Sequence, residues 1–269
     1  MIKPYISGLL RRVGLLGGTE WLRFWITRTR FNRSNKRFLK NHPDVEIPPD
    51  FFLYETYMLN YELYYFDGLE TAGELINLLR KHYDVSRSGT RFLDWGCGPA
   101  RITRHLPDLL PVAEIYGMDF NERYVSWCRS KIGRVNFEHT KVSPPTTYPD
   151  NMMDIVIGLS VFTHLSAQNH LAWLDELYRC IKPGGLLLIT TQGLSYLRKL
   201  STGEKEKFKK GNLIVRGKVL EGNRLYSAFQ PESFVKSIIK NKFEIIEFIP
   251  GMENSNDPEQ DKWILKKIK

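Results

Sequence analysis

From residue 91 onward, short apolar runs alternate with stretches in which apolar positions recur every three or four residues. The runs at 91–94, 114–118, 155–159 and 186–190 are apolar on nearly consecutive positions, as strands buried on both faces require. Between them, 101–110, 122–132 and 167–181 have helical periodicity, and in the last His170, Leu171, Leu174, Leu177, Tyr178 and Ile181 share one predicted face. Strand and helix in alternation predict an α/β fold built on a doubly wound, mostly parallel sheet. A further helix is predicted at 232–240, with strands at 243–248 and 262–267. Ahead of residue 91 the pattern changes. Residues 50–83 read as aromatic and helical, Pro43, Pro48 and Pro49 mark a linker, and 1–45 form a separate arm. The predicted division is therefore the arm at 1–45 and a main domain at 50–269, with its core at 88–193 and its closing strands within 226–269. The polar stretch 201–212 predicts a flexible loop.

Composition narrows the class. The 269 residues are 42% hydrophobic and 26% charged, which excludes a disordered or collagen-like chain. Cys97, Cys128 and Cys180 are far apart and form no CxxC, so neither a disulfide framework nor a zinc site is expected, and a reducing, cytoplasmic setting is predicted. No apolar run approaches the roughly 18–20 residues of a membrane span, and no secretory leader is expected.

The formal charge of +9 belongs to the arm, because residues 1–40 hold ten Lys and Arg against the single acid Glu20. Ile6, Leu9, Leu10, Val13, Leu16, Trp21, Leu22, Phe24 and Trp25 are interleaved with those cations. Apolar and aromatic groups beside lysine and arginine suit a helix lying at an anionic membrane surface, here the inner face of the membrane. Packing on the main domain, contact with nucleic-acid phosphates and an organellar presequence are the rival readings, with nucleic acid the less favoured partner. Gly17 and Gly18 are expected to break the arm into two helices.

Candidate chemistry begins at 92–101, FLDWGCGPAR: an apolar strand, the acid Asp94, then Gly96 and Gly98 leading into a helix. Glycine allows a tight turn and close approach of backbone to ligand. The next strand ends in YGMDF, placing Asp119 where a carboxylate can bind both hydroxyls of a ribose; the same residue could equally cap the following helix. The loop departs from a dinucleotide fingerprint, since Arg101 takes the third glycine position and an acid beside the loop would repel pyrophosphate. An acid there suits a ligand with a cationic amino group.

These stretches, with YPDNMMDIVIGLSVFTHL at 148–165 and LDELYRCIKPGGLLLITTQG at 174–193, resemble class I S-adenosylmethionine-dependent methyltransferases, in particular the type 11 and type 12 bacterial domains. The resemblance spans 92–193 and implies a seven-stranded, Rossmann-like sheet closed by an antiparallel pair, which FEIIEF and DKWILKK would supply. It implies S-adenosyl-L-methionine as cofactor, with Asp94, Gly96, Cys97 and Gly98 at its methionine end, Asp119 on the ribose, Phe120 on the adenine, and Val142, Leu159 and Ser160 completing the site. Many relatives carry an acid near 142 for the adenine amino group, whereas this chain reads Thr140, Lys141, Val142, leaving that contact to backbone.

The acceptor is addressed at GLSVFTHL, 158–165. The Asn/Asp-Pro-Pro-aromatic motif of base amino-methyltransferases is absent, and Ser160 stands where catechol-type enzymes place a metal-binding Asp; no metal is expected. Oxygen methylation, by a general base or by proximity, remains. His164 is the candidate base, with helix capping or packing as its alternative. Gln192, after the fifth strand, and Tyr61 and Tyr65, from the helical stripe Tyr54, Tyr57, Tyr61, Tyr64 and Tyr65, are candidate acceptor contacts; such a stripe is more often core, and that is its first reading. The segment YSAFQPESF at 226–234 adds to a likeness to bacterial enzymes of glycan and secondary-metabolite pathways. The expectation is O-methylation of a hydroxyl on a sugar, a cell-surface glycan or its lipid-linked precursor. A soluble small-molecule O- or N-methyltransferase and a non-catalytic cofactor-binding scaffold at a membrane are the alternatives.

Overall fold

The computed structural model describes residues 16–253 and 258–268, and of 16–19 only the backbone. The chain divides into two compact units, one ending at Gly68 and one comprising Leu69–Lys269. The arm residues Ile6, Leu9, Leu10 and Val13 lie outside the described residues.

The helical unit contains α1 (Leu16–Asn41), α2 (Asp50–Thr56) and the start of α3 (Tyr61–Arg80). Gly17 and Gly18 lie inside the first turn of α1, and every described residue from there to Asn41 continues the same helix. Its inward face carries Phe24, Asn35 and Phe38. Phe24 meets Phe51 and Tyr54 of α2 edge to face, with centroids 5.5 Å apart in each pair. Asn35, buried, donates to the carbonyl of Leu59 and accepts from the backbone N–H of Tyr61 at 3.1 Å. The helical stretch expected over 50–83 consists of two helices separated at 57–60, where Asn60 Oδ1 accepts from Leu63 N and starts α3.

In the larger unit seven strands form one sheet in the order β3-β2-β1-β4-β5-β9-β8. They are β1 (Arg91–Trp95), β2 (Glu114–Asp119), β3 (Asn136–His139), β4 (Met153–Gly158), β5 (Ile181–Thr191), β8 (Phe243–Ile249) and β9 (Asp261–Lys267), while β6 (Ile214–Arg216) and β7 (Ser227–Phe229) make a separate antiparallel pair. The first five strands are parallel, and β9 runs antiparallel to both β5 and β8. Alternation along the central strands feeds two cores. Phe92, Ile155, Ile157, Leu186 and Leu188 face Leu75, Ile76 and Leu79 of α3, while Leu93, Val156, Leu187 and Ile189 face Trp173, Leu174 and Leu177. Burial on both faces is why these strands are apolar throughout.

Several expectations change. Residues 101–110 form a 3-10 turn, Thr103–His105, and one helical turn, α4 (Leu106–Leu109), because Pro107 fits only a helix's opening positions. After α5 (Glu122–Lys131), the unforeseen edge strand β3 buries only Phe137 of its four residues, so NFEH carries little apolar signal. In α6 (Ala167–Cys180) Leu171 is 48% exposed and Trp173 takes its place on the inner face. The expected loop at 201–212 contains α7 (Thr202–Lys209), opened by a capping box between Ser201 and Glu204 and anchored by buried Phe208. Helix α8 (Glu232–Ile239) follows where expected.

Candidate functional site

The carboxyl ends of β1, β2 and β4, flanking the point where the strand order reverses, hold the candidate residues, as ligands of such sheets require. Gly96 and Gly98 leave β1 with φ of +76° and +53°, a region costly for residues bearing a Cβ. At Gly96 the space is closed as well, because a Cβ would overlap Cγ2 of Val161. The N–H groups of Gly96 and Cys97 both donate to the carbonyl of Met118, at 2.8 and 3.0 Å, fastening the loop to β2.

Two buried carboxylates frame this loop. Asp119 accepts from Gly98 N at 2.9 Å and from Asn121 N at 2.8 Å. Asp94 accepts a 2.5 Å hydrogen bond from Thr103 Oγ1. Burial pushes both up to about 6, overcoming those hydrogen bonds and, for Asp94, the nearby Arg101 charge. Such groups gain from a bound cation or hydroxyl that replaces lost water. Cys97 turns the other way: its thiol lies in a cluster with Ala100, Val125, Cys128 and Phe137, and burial pushes its pKa up.

The Val142 carbonyl accepts from the Trp173 indole N–H at 2.7 Å. Thr140, whose N–H donates to the Asp119 carbonyl at 3.0 Å, has a buried hydroxyl with no hydrogen-bond partner among the described residues. A buried, unpaired hydroxyl beside Asp119 calls for a polar ligand atom. Phe120 is partly exposed, and a Cβ on Gly222 would come within 2.9 Å of its ring, so only a glycine lets the 217–226 segment approach it.

Past β4, Ser160 holds φ +61° with a side chain on it, a strained conformation of the kind that collects at functional sites. Its N–H donates to Thr190 Oγ1 at 2.7 Å, and its hydroxyl pairs with the Gln260 carboxamide. Leu159 packs against the core on the α3 side. His164 sits at the end of a 3-10 turn; its Nδ1 donates to the Tyr226 carbonyl at 2.7 Å, and its own carbonyl accepts from Gly222 N at 3.0 Å. Burial holds the imidazole below its ordinary pKa, against the pull of the Tyr226 and Asn223 backbone, so it is neutral at pH 7 with Nε2 as the basic nitrogen.

Gln230 went unassigned in the sequence. It is fully buried and joins four groups: Nε2 donates to the Phe162 carbonyl at 2.9 Å and to His170 Nε2 at 3.1 Å, while Oε1 accepts from Gln192 N at 2.9 Å and its own N–H donates to the Gln192 carbonyl at 3.0 Å. It thereby fixes the backbone of Gln192. A lone glutamine before Pro231 gives no pattern that would have marked it. Tyr61 and Tyr65 belong to the helical unit, where Tyr61 donates to Asp50 at 2.5 Å and Tyr65 packs on Phe38 and Phe66.

Residues 93–189 match the family model described as a methyltransferase domain. Over those residues the chain carries a methyltransferase domain, on the fold of solved S-adenosylmethionine-dependent methyltransferases. A glycopeptide N-methyltransferase solved with S-adenosylmethionine aligns with TM-score 0.51 and 13% identity over 75% of this chain and 94% of that one, and the two buried acids, the glycine turn and the unpaired Thr140 hydroxyl of this chain would fit such a group. A demethylmenaquinone methyltransferase of Anoxybacillus flavithermus is 31% identical over 105 residues, 37% of this chain and 43% of that one. A malonyl-[acyl-carrier protein] O-methyltransferase of Bacillus cytotoxicus is 26% identical over 70% of this chain and 64% of its own. The chain spans 37 to 43% of the length of the first curated relatives it matches. Among solved structures, a methyltransferase of Mesorhizobium loti aligns with TM-score 0.57 and 14% identity over 74% of this chain and all of that one, which shows the shared fold.

Proposed function

We propose that this methyltransferase domain methylates oxygen on a neutral, hydroxyl-rich acceptor, a sugar of a glycan or of its lipid-linked precursor. The observation that carries the reading is the polar edge beyond β4 and β5, where, beside the buried Asp261 carboxylate, Ser160, Gln260 and Gln192 supply hydroxyl and carboxamide groups. Such groups hydrogen-bond hydroxyls without demanding a charge. Bound between Asp94 and Asp119, S-adenosylmethionine supplies an electrophilic methyl group on sulfur. Asp94 would receive its amino group, Asp119 the ribose hydroxyls and Thr140 the adenine edge. His164 would take the acceptor proton at Nε2 as the acceptor oxygen bonds the methyl carbon and that carbon's bond to sulfur breaks, the electron pair staying on sulfur, since Nδ1 is committed to Tyr226.

A second reading of His164 has its own support, because ring and backbone together hold the segment at 222–226. His164→Ala separates the two. As the base, its loss lowers kcat by roughly a hundredfold or more with cofactor affinity nearly unchanged, and the acid limb of the kcat pH profile disappears. Weakened cofactor affinity with a small change in kcat would assign the residue to the loop instead. The acceptor class is tested by incubating the protein with labelled S-adenosylmethionine and parallel panels of nucleotide sugars, lipid-linked glycans, and small phenols and amines. Transfer confined to the phenols and amines would overturn the glycan reading.

A further inference from the structure

Helix α1 presents two different outward surfaces along its length. Its inward face, with Phe24, Asn35 and Phe38, is spent on packing within the helical unit. On the opposite side, the N-terminal half carries Trp21, Leu22, Trp25 and Ile26, exposed to 62%, 58%, 38% and 59%. They fall at i, i+1, i+4 and i+5, one contiguous stripe. Trp21 and Trp25 stack edge to face at 5.5 Å, and the Arg28 guanidinium lies 4.9 Å from the Trp25 ring centre. The C-terminal half turns Arg30, Arg33, Lys36, Arg37 and Lys40 outward, all exposed. Exposed apolar clusters of this kind mark interaction surfaces.

We propose that this face of α1 docks on an anionic lipid membrane, with the Trp21–Ile26 stripe entering the headgroup boundary and the basic half lying over lipid phosphates. Charge selects the occupant. From Glu20 to Lys40 the helix carries seven Lys and Arg against one acid, so pairing the face with its copy in a second chain would bring like charges together. Nucleic acid would use the basic half alone and leave Leu22 and Ile26 in water. An anionic bilayer uses both, because tryptophan favours the interface and each nearby cation is attracted to the surface. No described helix is long and apolar enough to cross a membrane, so the contact is with its surface. This inference stands independently of the acceptor.

The test is flotation of the full chain with vesicles of phosphatidylcholine alone and of phosphatidylcholine containing roughly one-third phosphatidylglycerol, at about 0.1 M salt. Partition at least tenfold stronger on the anionic vesicles is expected, together with quenching of tryptophan fluorescence by brominated lipid. Trp21→Ser/Ile26→Ser should lose about tenfold in partition, and Arg33→Gln/Lys36→Gln/Arg37→Gln should lose at least as much. All these positions are exposed, so both variants should melt as the parent does. Equal partition on both vesicle types, or partition untouched by the apolar pair, overturns the proposal. So does either rival occupant: vesicle-independent self-association lost in the apolar pair, or binding to a DNA duplex lost only in the charge variant with no vesicle binding by the parent.

Discussion

Replacing Asp119 with Ala is expected to reduce affinity for S-adenosylmethionine at least a hundredfold. Hydrogen bonds to a charged group contribute about 1.5–3 kcal/mol each, so losing two to the ribose costs about 3–6 kcal/mol. The same carboxylate also accepts from Gly98 N and Asn121 N, tying the glycine turn to the start of α5. Its removal therefore loosens the loop as well as the ribose contact. Asp119→Asn retains the shape and one acceptor oxygen and should bind with intermediate affinity. Calorimetry on both variants checks this; an Asp119→Ala dissociation constant within threefold of the parent's would remove the residue from the cofactor site.

Gly96→Ala is expected to damage both stability and binding. A side chain at φ +76° costs about 1–2 kcal/mol, and the new methyl overlaps Val161, which adds about 1–3 kcal/mol of overpacking. For a domain of this size each kcal/mol lowers the melting temperature by about 2–4 °C. The second change Val161→Ala should recover the overlap but leave the backbone cost, so the double variant should melt between Gly96→Ala and the Val161→Ala control. A Gly96→Ala protein that melts and binds like the parent would contradict the described turn.

The parallel core was legible because β1, β4 and β5 are buried on both faces and are therefore written as apolar runs. The glycine turn and the acid ending β2 were legible because each needs a particular residue at a particular place. Other parts left no such trace. The strand β3 is an edge with one buried side chain, and α7 is a short helix whose polar residues read as a loop until its capping box is seen. Gln230 acts through a buried carboxamide and Thr140 through a buried hydroxyl, and neither leaves a pattern in the sequence. His164 was found by its place after β4, but its grip on the 222–226 segment depends on a contact 62 residues away.

The central claim, a domain built to hold S-adenosylmethionine between two buried acids, is tested most directly by calorimetric titration of the protein with S-adenosylmethionine and S-adenosylhomocysteine from pH 8 to pH 5. Asp94 and Asp119 sit near 6 in the ligand-free protein. With folded values raised above their unfolded ones, they favour the ligand-free fold at low pH and oppose it as pH rises through 6. The cofactor requires their charged forms, so binding should be pH-independent above about 7 and weaken by about tenfold or more per unit below 6. The account predicts one site of micromolar affinity, with the demethylated product bound at least as tightly. Absence of binding to either compound, or affinity that does not change across pH 6, would contradict it.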